Sequence, residues 1–404
     1  MNEAFPTLTA RERAFIQAHL HDDVADLLLQ GNQCQDVDLK KMAAQIAARQ
    51  KAKDKLPDWY ADERLLFPPP LSVEQGSSEA TARFKASLVS GIKLIDITGG
   101  MGVDCYYMSE EFEQTLYFEQ QPEVAWTAAH NFEELGVADK IEVRVEDAID
   151  ALSQKPVPSD WLYADPARRD DRQRKVAQLA DCTPDLTKAL PTLFRSAPNI
   201  LVKTAPLLDI DLAVGQLGFV REVHIVGLDR ECKEVLYSLN QSSLAVEDIP
   251  LKVRILKADG STQYGFDFNR QEETHAEPDF REPQGFLYEP HAALLKAGAF
   301  KSTATRFGLA KLAPNTHLYT SEKPIDDFPG RSFEVVAVCK PDARALSEYV
   351  PNGKANLTIR NFPGKVDDLR KKWRLKEGGD VYLFALTLQS GRKVVVVTRK
   401  AQSV

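Results

Sequence analysis

The chain has 404 residues and a hydrophobic fraction of 43%, which suits a folded protein of roughly two to four domains. It has no run of about 18 apolar residues, no basic segment followed by an apolar core at its start, and no ligand spacing among its five cysteines and seven histidines. These absences argue against a membrane partner, a secretory signal, a disulfide scaffold and a metal site. The net charge is −8, and the composition as a whole predicts a cytoplasmic protein without bound metal.

Residues 1–75 are predicted to form a helical N-terminal domain. Leu27 falls in an amphipathic stretch, and Met42 and Ile46 repeat the helical spacing. Three consecutive prolines within residues 67–70 interrupt the region, because proline removes a backbone donor and ends helices.

Residues 76–270 are predicted to form an α/β domain with a Rossmann-like sheet. After one more helix, short apolar strands alternate with helical stretches, which implies a parallel sheet with helices on both faces. The predicted strands are 93–97, 115–118, 141–145, 161–163, 199–202, 220–226 and 235–239.

Two smaller parts follow. Residues 271–328 are predicted to contain a polar linker and a small unit, and residues 329–404 a compact α/β module. From Arg331 onward there are 15 Lys and Arg residues against 7 Asp and Glu, a net charge of +8, so the rest of the chain carries −16. A basic module on an acidic body is typical of polyanion binding, although a solvated basic face gives the same count.

The segment Leu94–Gly102 predicts a ligand-binding turn. It is a strand that ends in Asp96, followed by a Gly-rich turn and a helix. Glycine lets the backbone approach a ligand closely, because it has no Cβ. The dinucleotide fingerprint needs a third glycine where this chain has Cys105, so that motif is not matched.

Acids also follow the next three strands. Glu119 ends the second strand, where an acid can accept both ribose hydroxyls of an adenosine. Asp147 ends the third strand, where a carboxylate can accept from an adenine amine, and Asp165 ends the fourth. The carboxyl ends of parallel strands share one edge of a sheet, so we expect all four acids at one ligand-binding edge. Each acid taken singly is also a common helix N-cap, but the ordered set favours a site.

This arrangement resembles the class I S-adenosylmethionine-dependent methyltransferases over roughly Ser77–Leu239. The resemblance implies S-adenosylmethionine as the cofactor, with Glu119 on the ribose and Asp147 and Ala148 at the adenine. An upstream segment that includes Gln75 and Ser77 resembles the part that closes over the amino-acid end of the cofactor. The residues implied around the methionine portion are Asp96, Thr98, Gly99, Gly100 and Gly102.

The segment Asp165–Asp170 is similar to the fourth motif of nucleic-acid amino-methyltransferases, in which an acid is followed by two prolines and an aromatic residue. In that motif the acid accepts a hydrogen bond from the target amine, and the ring stacks on the extruded base. Here Ala167 replaces the second proline and Arg168 the aromatic residue. Arg168 is expected to stack through its guanidinium plane or to bind phosphate. The alternative is a helix-capping Asp165 beside two solvated arginines.

Lys203 ends the fifth strand and is expected at the same edge of the sheet. It either contacts the substrate or pairs with a nearby acid, and with Asp165 and Arg168 it makes up the predicted catalytic set. A covalent mechanism would need a cysteine nucleophile, and neither Cys182 nor Cys232 lies in a recognisable motif.

The last module contains a basic helix with one aromatic residue, Trp373. Positive charges track phosphates and aromatic rings stack on bases, which predicts RNA as a partner. In the alternative, Trp373 belongs to the core and the charges face water. The predicted RNA contacts are Arg360, Arg370, Lys371, Lys372, Arg374 and Lys376.

The whole arrangement resembles a bacterial family of predicted methyltransferases that carry a small ferredoxin-like unit and then a THUMP-like domain. The segments Tyr288–Leu294 and Arg360–Pro363 carry that resemblance. It implies a ferredoxin-like unit within residues 271–328 and a THUMP-like domain at residues 329–404. THUMP domains proper bind RNA, which favours the RNA hypothesis.

The sequence therefore predicts a methyltransferase that uses S-adenosylmethionine to methylate an RNA base by direct displacement at the methyl carbon. The protein would contribute mainly positioning and desolvation. Two alternatives stay open at this point. One is a methyltransferase for a protein or a small molecule, and the other is an RNA-binding protein that binds the cofactor without catalysis.

Overall fold

The structure is a computed structural model that describes residues 7–29, 37–168, 178–242 and 244–401. The chain forms two compact units. The first unit contains residues up to 226, 233–244 and 256–263, and the second contains 227–232, 245–255 and 264 onward. Within the described ranges, no helix has both the length and the apolar character needed to cross a bilayer.

Within the described part of residues 7–86, six helices form the beginning of the first unit. Thr9 and Glu12 cap the first of them reciprocally, each side chain accepting from the other residue's backbone amide. Leu27, Met42 and Ile46 are buried, as their helical spacing predicts. The helices are α1 Ala10–Ala18, α2 Val24–Leu29, α3 Leu39–Ala52, α4 Pro57–Ala61, α5 Pro70–Gln75 and α6 Glu79–Ala86.

The first unit also contains a mainly parallel sheet. Its strands, together with the separate pair β5 and β6, are β1 Lys93–Asp96, β2 Gln114–Phe118, β3 Ile141–Arg144, β4 Trp161–Ala164, β5 Ala167–Arg168, β6 Cys182–Thr183, β7 Asn199–Thr204, β8 Val220–Leu228 and β9 Glu231–Asn240. In space the order is β8-β9-β7-β4-β1-β2-β3. Neighbours from β7 to β3 are parallel, whereas β7 and β9 are antiparallel.

Helices alternate with these strands. They are α7 Val103–Ser109, α8 Pro122–Glu134, α9 Ala148–Gln154, α10 Leu186–Leu193 and α11 Ile210–Leu217. The chain leaves β1 towards β2 and β3 on one side and returns to β4 on the other, which makes β1 and β4 a topological switch point. Ligands of open α/β sheets bind at the carboxyl ends of the strands there. The predicted Rossmann-like fold class is confirmed.

The chain beyond Leu244 adds further strands, which are β10 Leu251–Leu256, β11 Thr262–Phe268, β12 Phe286–Pro290, β13 Ala310–Lys311, β14 Tyr319–Ser321, β15 Gly330–Cys339, β16 Asn356–Arg360, β17 Val381–Thr387 and β18 Lys393–Lys400. The helices are α12 Arg270–His275, α13 Ala292–Ala297, α14 Lys301–Phe307, α15 Ala343–Ser347 and α16 Val366–Trp373. Seven of these strands form a second sheet in the order β13-β14-β12-β15-β18-β17-β16. Leu369 and Trp373 belong to one of its core clusters, and Phe333 and Phe384 to another.

The polar segment predicted as a linker contains α12. Asn269 caps this helix by accepting from the Glu272 amide over 2.8 Å. Glu273 in turn accepts three backbone hydrogen bonds from the start of α14. The polarity that suggested a linker therefore reflects capping side chains that order this part of the second unit.

Candidate functional site

The Gly-rich turn between β1 and α7 lies at the switch point of the first sheet. Gly100 and Gly102 have φ values of +56° and +87°, a left-handed conformation that glycine adopts without the steric cost of a Cβ. A Cβ on Gly99 would lie 2.2 Å from the Tyr117 ring, so the sheet requires glycine there as well. A Cβ on Gly100 would meet nothing nearer than the Thr98 carbonyl at 3.8 Å, so this side of the turn is open to a ligand.

Two polar side chains hold the turn. Glu119, directly after β2, accepts from the Gly100 and Gln121 amides over 2.9 and 2.8 Å. The Thr98 hydroxyl accepts from the Asp165 amide over 2.7 Å, which joins the turn to the end of β4. Glu119 is half-buried, and each of its carboxylate oxygens keeps a second lone pair for another donor.

Asp147 caps α9. One of its oxygens accepts from the Asp150 amide over 3.0 Å, and the other from the Gln120 side chain over 2.5 Å. Ala148 is buried at the first position of the helix. The capping role weighed for any single acid after a strand is therefore observed at Asp147, and its contact with adenine stays a prediction.

Asp96 is 1% exposed at the end of β1. Burial, together with the charges of Asp104, Asp165 and Glu119, raises the pKa of its carboxyl group to about 8, although Oδ1 accepts from the Thr98 amide over 2.9 Å. Its Oδ2 is buried and has no hydrogen-bond partner among the residues that the structure describes. Asp96 is therefore mostly protonated at neutral pH.

A buried ion network connects α6, α7 and β9. Lys85 has 0% exposure, donates to both oxygens of Glu234 over 2.7 and 2.8 Å, and lies 3.2 Å from Oδ1 of Asp104. Oδ2 of Asp104 accepts from the Tyr163 and Ser77 hydroxyls over 2.6 and 2.7 Å. Ser77, predicted at the cofactor, thus also fixes the segment before α6 to α7.

Sequence reasoning missed Lys85, Asp104 and Glu234. Burial alone would raise the pKa of Asp104, but the charges of Lys85 and Lys203 outweigh it, so the pKa of Asp104 is lowered. The signal for Asp104 was available, because it is the next acid after the Gly-rich turn. The contact of Lys85 with Glu234 spans 149 positions and leaves no local pattern.

Asp165 and Lys203 form an ion pair at the ends of β4 and β7. Lys203 is 8% exposed, and although burial disfavours its charge, Asp165, Asp104 and Glu234 outweigh that effect and raise the pKa of Lys203. Of the two roles weighed for Lys203, pairing with an acid is therefore observed. Its contact with a substrate stays a prediction.

Two predicted site residues have no described side-chain contact at this edge. Gln75 is exposed at the last position of α5. Arg168 pairs through its backbone with Cys182, which places it in β5, but its side chain lies outside what the structure describes. Residues 169 and 170, which complete the target motif, also lie outside the described ranges.

The six basic residues predicted to contact RNA fall into two groups. Arg360 pairs with Glu289 over 2.8 Å, and Arg370 pairs with Glu377 over 3.1 Å. The other four are exposed at the end of α16 and just after it, and they are Lys371, Lys372, Arg374 and Lys376. Trp373 is 3% exposed and belongs to the core, as the alternative interpretation had it.

Comparisons with known proteins agree with this architecture. A family model described as a ferredoxin-like domain matches residues 286–329, and one described as THUMP domain-like matches residues 330–400. The crystal structure of a "putative methyltransferase" from Porphyromonas gingivalis W83 is 31% identical, with 97% of this chain and 98% of that chain covered and a TM-score of 0.82. The chain belongs to the same family. This is the predicted family of methyltransferases with a ferredoxin-like unit and a THUMP-like domain.

Other solved structures are less similar to this chain. A "rRNA Methylase" from Streptococcus thermophilus is 11% identical, covering 40% of this chain and 95% of that chain with a TM-score of 0.31. A "putative methyltransferase" from Streptococcus mutans in complex with SAH is 12% identical, covering 40% and 96% with a TM-score of 0.30. These scores are too low to bear on what this chain binds. Among curated proteins, no sequence matches the chain.

Lys85→Met should destabilise the first unit by about 3–5 kcal/mol, because it leaves Glu234 and Asp104 buried without their cation. Urea denaturation measures the free energy of unfolding. Lys51→Met is the matched control, since Lys51 is 55% exposed and lies 3.4 Å from Glu74, and its loss should stay below about 1 kcal/mol. The double variant Lys85→Met/Glu234→Gln should recover part of the loss, and equal stability of Lys85→Met and wild type would contradict the network's structural role.

Asp96→Asn should change how stability depends on pH. Because the pKa of Asp96 is raised to about 8, the folded protein keeps a proton that the unfolded chain releases above about pH 4. The free energy of unfolding should therefore fall as pH rises from about 4 to 8, and the amide should remove that fall. Melting temperatures should nearly coincide at about pH 4, whereas the variant should melt higher at about pH 9. Asp147→Asn is the control, and a variant that melts below wild type at both pH values would overturn the assignment.

Proposed function

We propose that this protein is an S-adenosylmethionine-dependent methyltransferase that methylates a base in RNA, with the RNA held by its THUMP-like domain. The observation that carries the proposal is the hydrogen bond of 2.7 Å from the Asp165 amide to the Thr98 hydroxyl. It puts the acid of the target motif beside the Gly-rich turn. A methyl donor at the turn and a nucleophile at Asp165 would therefore meet at one edge of the sheet.

The residues around the turn fit S-adenosylmethionine. The side of Gly100 that faces away from the sheet residues is open, and the nearby carboxyl groups of Glu119 and Asp165 favour a ligand with sulfonium and ammonium charges. When bound, the cofactor supplies the methyl group. The residues assigned to it are Glu119 for the ribose, Asp147 and Ala148 for the adenine, and Asp96, Thr98, Gly99, Gly100, Gly102, Gln75 and Ser77 for the methionine end.

Asp165 and Lys203 are proposed to position the target. The Asp165 side chain is 32% exposed and Lys203 only 10%, so the lysine holds the acid from the buried side and leaves part of it accessible. A carboxylate in that setting accepts a hydrogen bond from the target N–H and orients the nitrogen towards the methyl group. Arg168, which replaces the aromatic residue of the motif, would contact the base or a phosphate of the target.

The THUMP-like domain supports RNA, rather than a protein or a small molecule, as the substrate. Its segment from Arg331 onward has a net charge of +8, in a chain whose net charge is −8. Four of the predicted cations at the end of α16 are exposed. A surface rich in positive charge suits the phosphates of RNA as ligands, because each contact with a phosphate releases condensed counterions.

Glu119→Ala should weaken S-adenosylmethionine binding by about 1.5–3 kcal/mol, the range for hydrogen bonds to a charged group. Isothermal titration calorimetry of the full chain gives the affinity. Glu123→Ala serves as the control, because Glu123 is exposed in the first turn of α8, four residues from Glu119, and should bind the cofactor like wild type. If both variants bind equally well, neither the Glu119 contact with the turn nor a contact with the ribose contributes to binding, and the ribose assignment is wrong.

Asp165→Asn should abolish methyl transfer and leave RNA affinity within about twofold of wild type, because the change removes a charge at the target site and none in the THUMP-like domain. Transfer of a labelled methyl group to RNA from cells that lack the protein measures the activity. Asp185→Asn, at the cap of α10, is the control and should stay active. If wild type binds cofactor and RNA but labels no cellular RNA, the non-catalytic alternative is favoured. If a protein or a metabolite is labelled instead, the alternative of a methyltransferase for a protein or small molecule is favoured.

A further inference from the structure

The C-terminal end of α16 borders two adjoining depressions in the surface of the THUMP-like domain. One has a volume of about 480 Å³ and lies between α15 and α16, and the other has a volume of about 560 Å³. Arg374 and Leu375 line both of them, so they form one surface, which we call the α16 groove. Its members used below are Arg344, Val350, Lys371, Trp373, Arg374 and Lys376.

We propose that the α16 groove binds a single-stranded segment of RNA, with the bases against its apolar floor and the phosphates on its basic rim. This inference rests on the proposed function, which supplies RNA as the ligand class. It goes further by naming the binding surface and the strand state of the RNA.

The floor of the groove is apolar and fixed in place. Val350 and Trp373 line the depression between the helices and are 4% and 3% exposed. Both pack in one core cluster with Leu369, and the Trp373 indole N–H donates to the Pro341 carbonyl over 3.1 Å. The small exposed part of this fixed floor offers contact to the edge of an unpaired base, which a duplex keeps stacked inside.

The rim is mostly basic, although it also contains the acid Asp367 and Arg370, which pairs with Glu377 over 3.1 Å. Arg344, Lys371 and Arg374 are exposed, and none of them takes part in an ion pair within the described ranges. Arg360 and Arg392 of the same domain are instead paired, with Glu289 and Glu282. Cations without an acidic partner bind phosphate without first giving up an internal ion pair, so the three cations at the groove are available to phosphate.

Arg374 occupies a position that normally favours glycine. It ends α16 with φ of +57°, in the left-handed conformation. Glycine is the usual residue there, because any Cβ meets the following carbonyl oxygen. The chain has an arginine at this point, and its side chain lines both depressions.

Charge and shape together favour RNA over an acidic peptide. An acidic peptide would satisfy the rim, but its carboxylates bring no planar group for the floor beside Val350 and Trp373. A single strand of RNA carries a phosphate at every nucleotide with a base beside it, which matches a basic rim along an apolar floor. A volume of about 480 Å³ is also within the range that holds a ligand of nucleotide size.

The test compares two double variants of the full chain. Arg344→Gln/Arg374→Gln removes two unpaired cations from the groove. Arg392→Gln/Arg399→Gln removes two exposed cations from β18 and the turn before it, and is therefore matched in charge. Binding of a fluorescein-labelled single-stranded RNA of about 12 nucleotides, and of a duplex of the same sequence, is measured by anisotropy over a series of salt concentrations.

We expect the groove variant to bind the single strand at least about tenfold more weakly than wild type. The slope of its salt dependence should be shallower by about 1.4, since each lost phosphate contact on a single strand removes about 0.7. The control variant should lose much less, and the duplex should bind more weakly than the single strand to wild type. S-adenosylmethionine affinity, measured by calorimetry, should be the same in all three proteins.

A second measurement uses wild type alone and does not depend on any variant folding. A 4-thiouridine-containing strand of the same RNA is cross-linked by ultraviolet light, and mass spectrometry identifies the attached peptides. Attachment within residues 343–353 or 370–376 supports the groove, and attachment only elsewhere overturns it. Equal losses in the two double variants, preference for the duplex, or competition by polyglutamate as strong as by RNA would each overturn it as well.

These outcomes separate the groove from the proposed function. Methyl transfer to RNA by wild type, combined with unchanged RNA binding by the groove variant, would leave the methyltransferase proposal standing and remove the groove. Wild type that binds neither RNA form and labels no RNA would remove the RNA substrate itself, and the groove with it.

Discussion

The ion pair of buried Lys85 with Glu234 is the interaction on which the candidate site depends. Lys85 has no exposed surface, and it joins α6 to β9 and, through Asp104, to the first turn of α7. Asp104 also receives the Tyr163 hydroxyl, and Tyr163 lies two residues before the target acid. A charge without solvent must keep its partners, because losing one costs far more than an exposed pair would. The elements that carry the Gly-rich turn and Asp165 are therefore held in a fixed relation.

Four acids, Asp96, Asp104, Glu119 and Asp165, influence one another at the edge of the sheet. Burial and the acidic neighbours of Asp96 raise the pKa of its carboxyl group to about 8, so it stays mostly protonated at neutral pH. Lys203 pairs with Asp165. Lys55 lies close enough for the charges of Asp104, Lys203 and Lys233 to influence its pKa. Burial, together with the charges of Lys203 and Lys233, lowers the pKa of Lys55 to about 8. The acids at this edge are thus offset partly by the raised pKa of Asp96 and partly by the charges of Lys85 and Lys203.

The parts of the site that sequence could predict are those with a local signature. The turn at Gly99–Gly102 and the acids after successive strands follow from strand periodicity and from the shared edge of a parallel sheet. What the same pattern could not tell is the use made of each acid. Asp147 caps a helix, and Glu119 accepts a hydrogen bond from the amide of Gly100. Both acids therefore have a structural role, and any contact with a ligand would come in addition to it. The network around Lys85 was beyond prediction for a different reason, because its members come together only when the sheet has formed.

The basic C-terminal domain shows the same limit for charge. Counting residues gives +8 from Arg331 onward, yet the count does not distinguish a cation that holds the fold from one that is available to a ligand. Arg360 belongs to the first kind, since Glu289, itself buried, requires it. Arg374 belongs to the second, and its place at the carboxyl end of α16 also suits the negative end of the helix dipole. At the end of α16, stability and binding are therefore compatible. The helix end favours cations in the free protein, and cations without an acidic partner can bind phosphate.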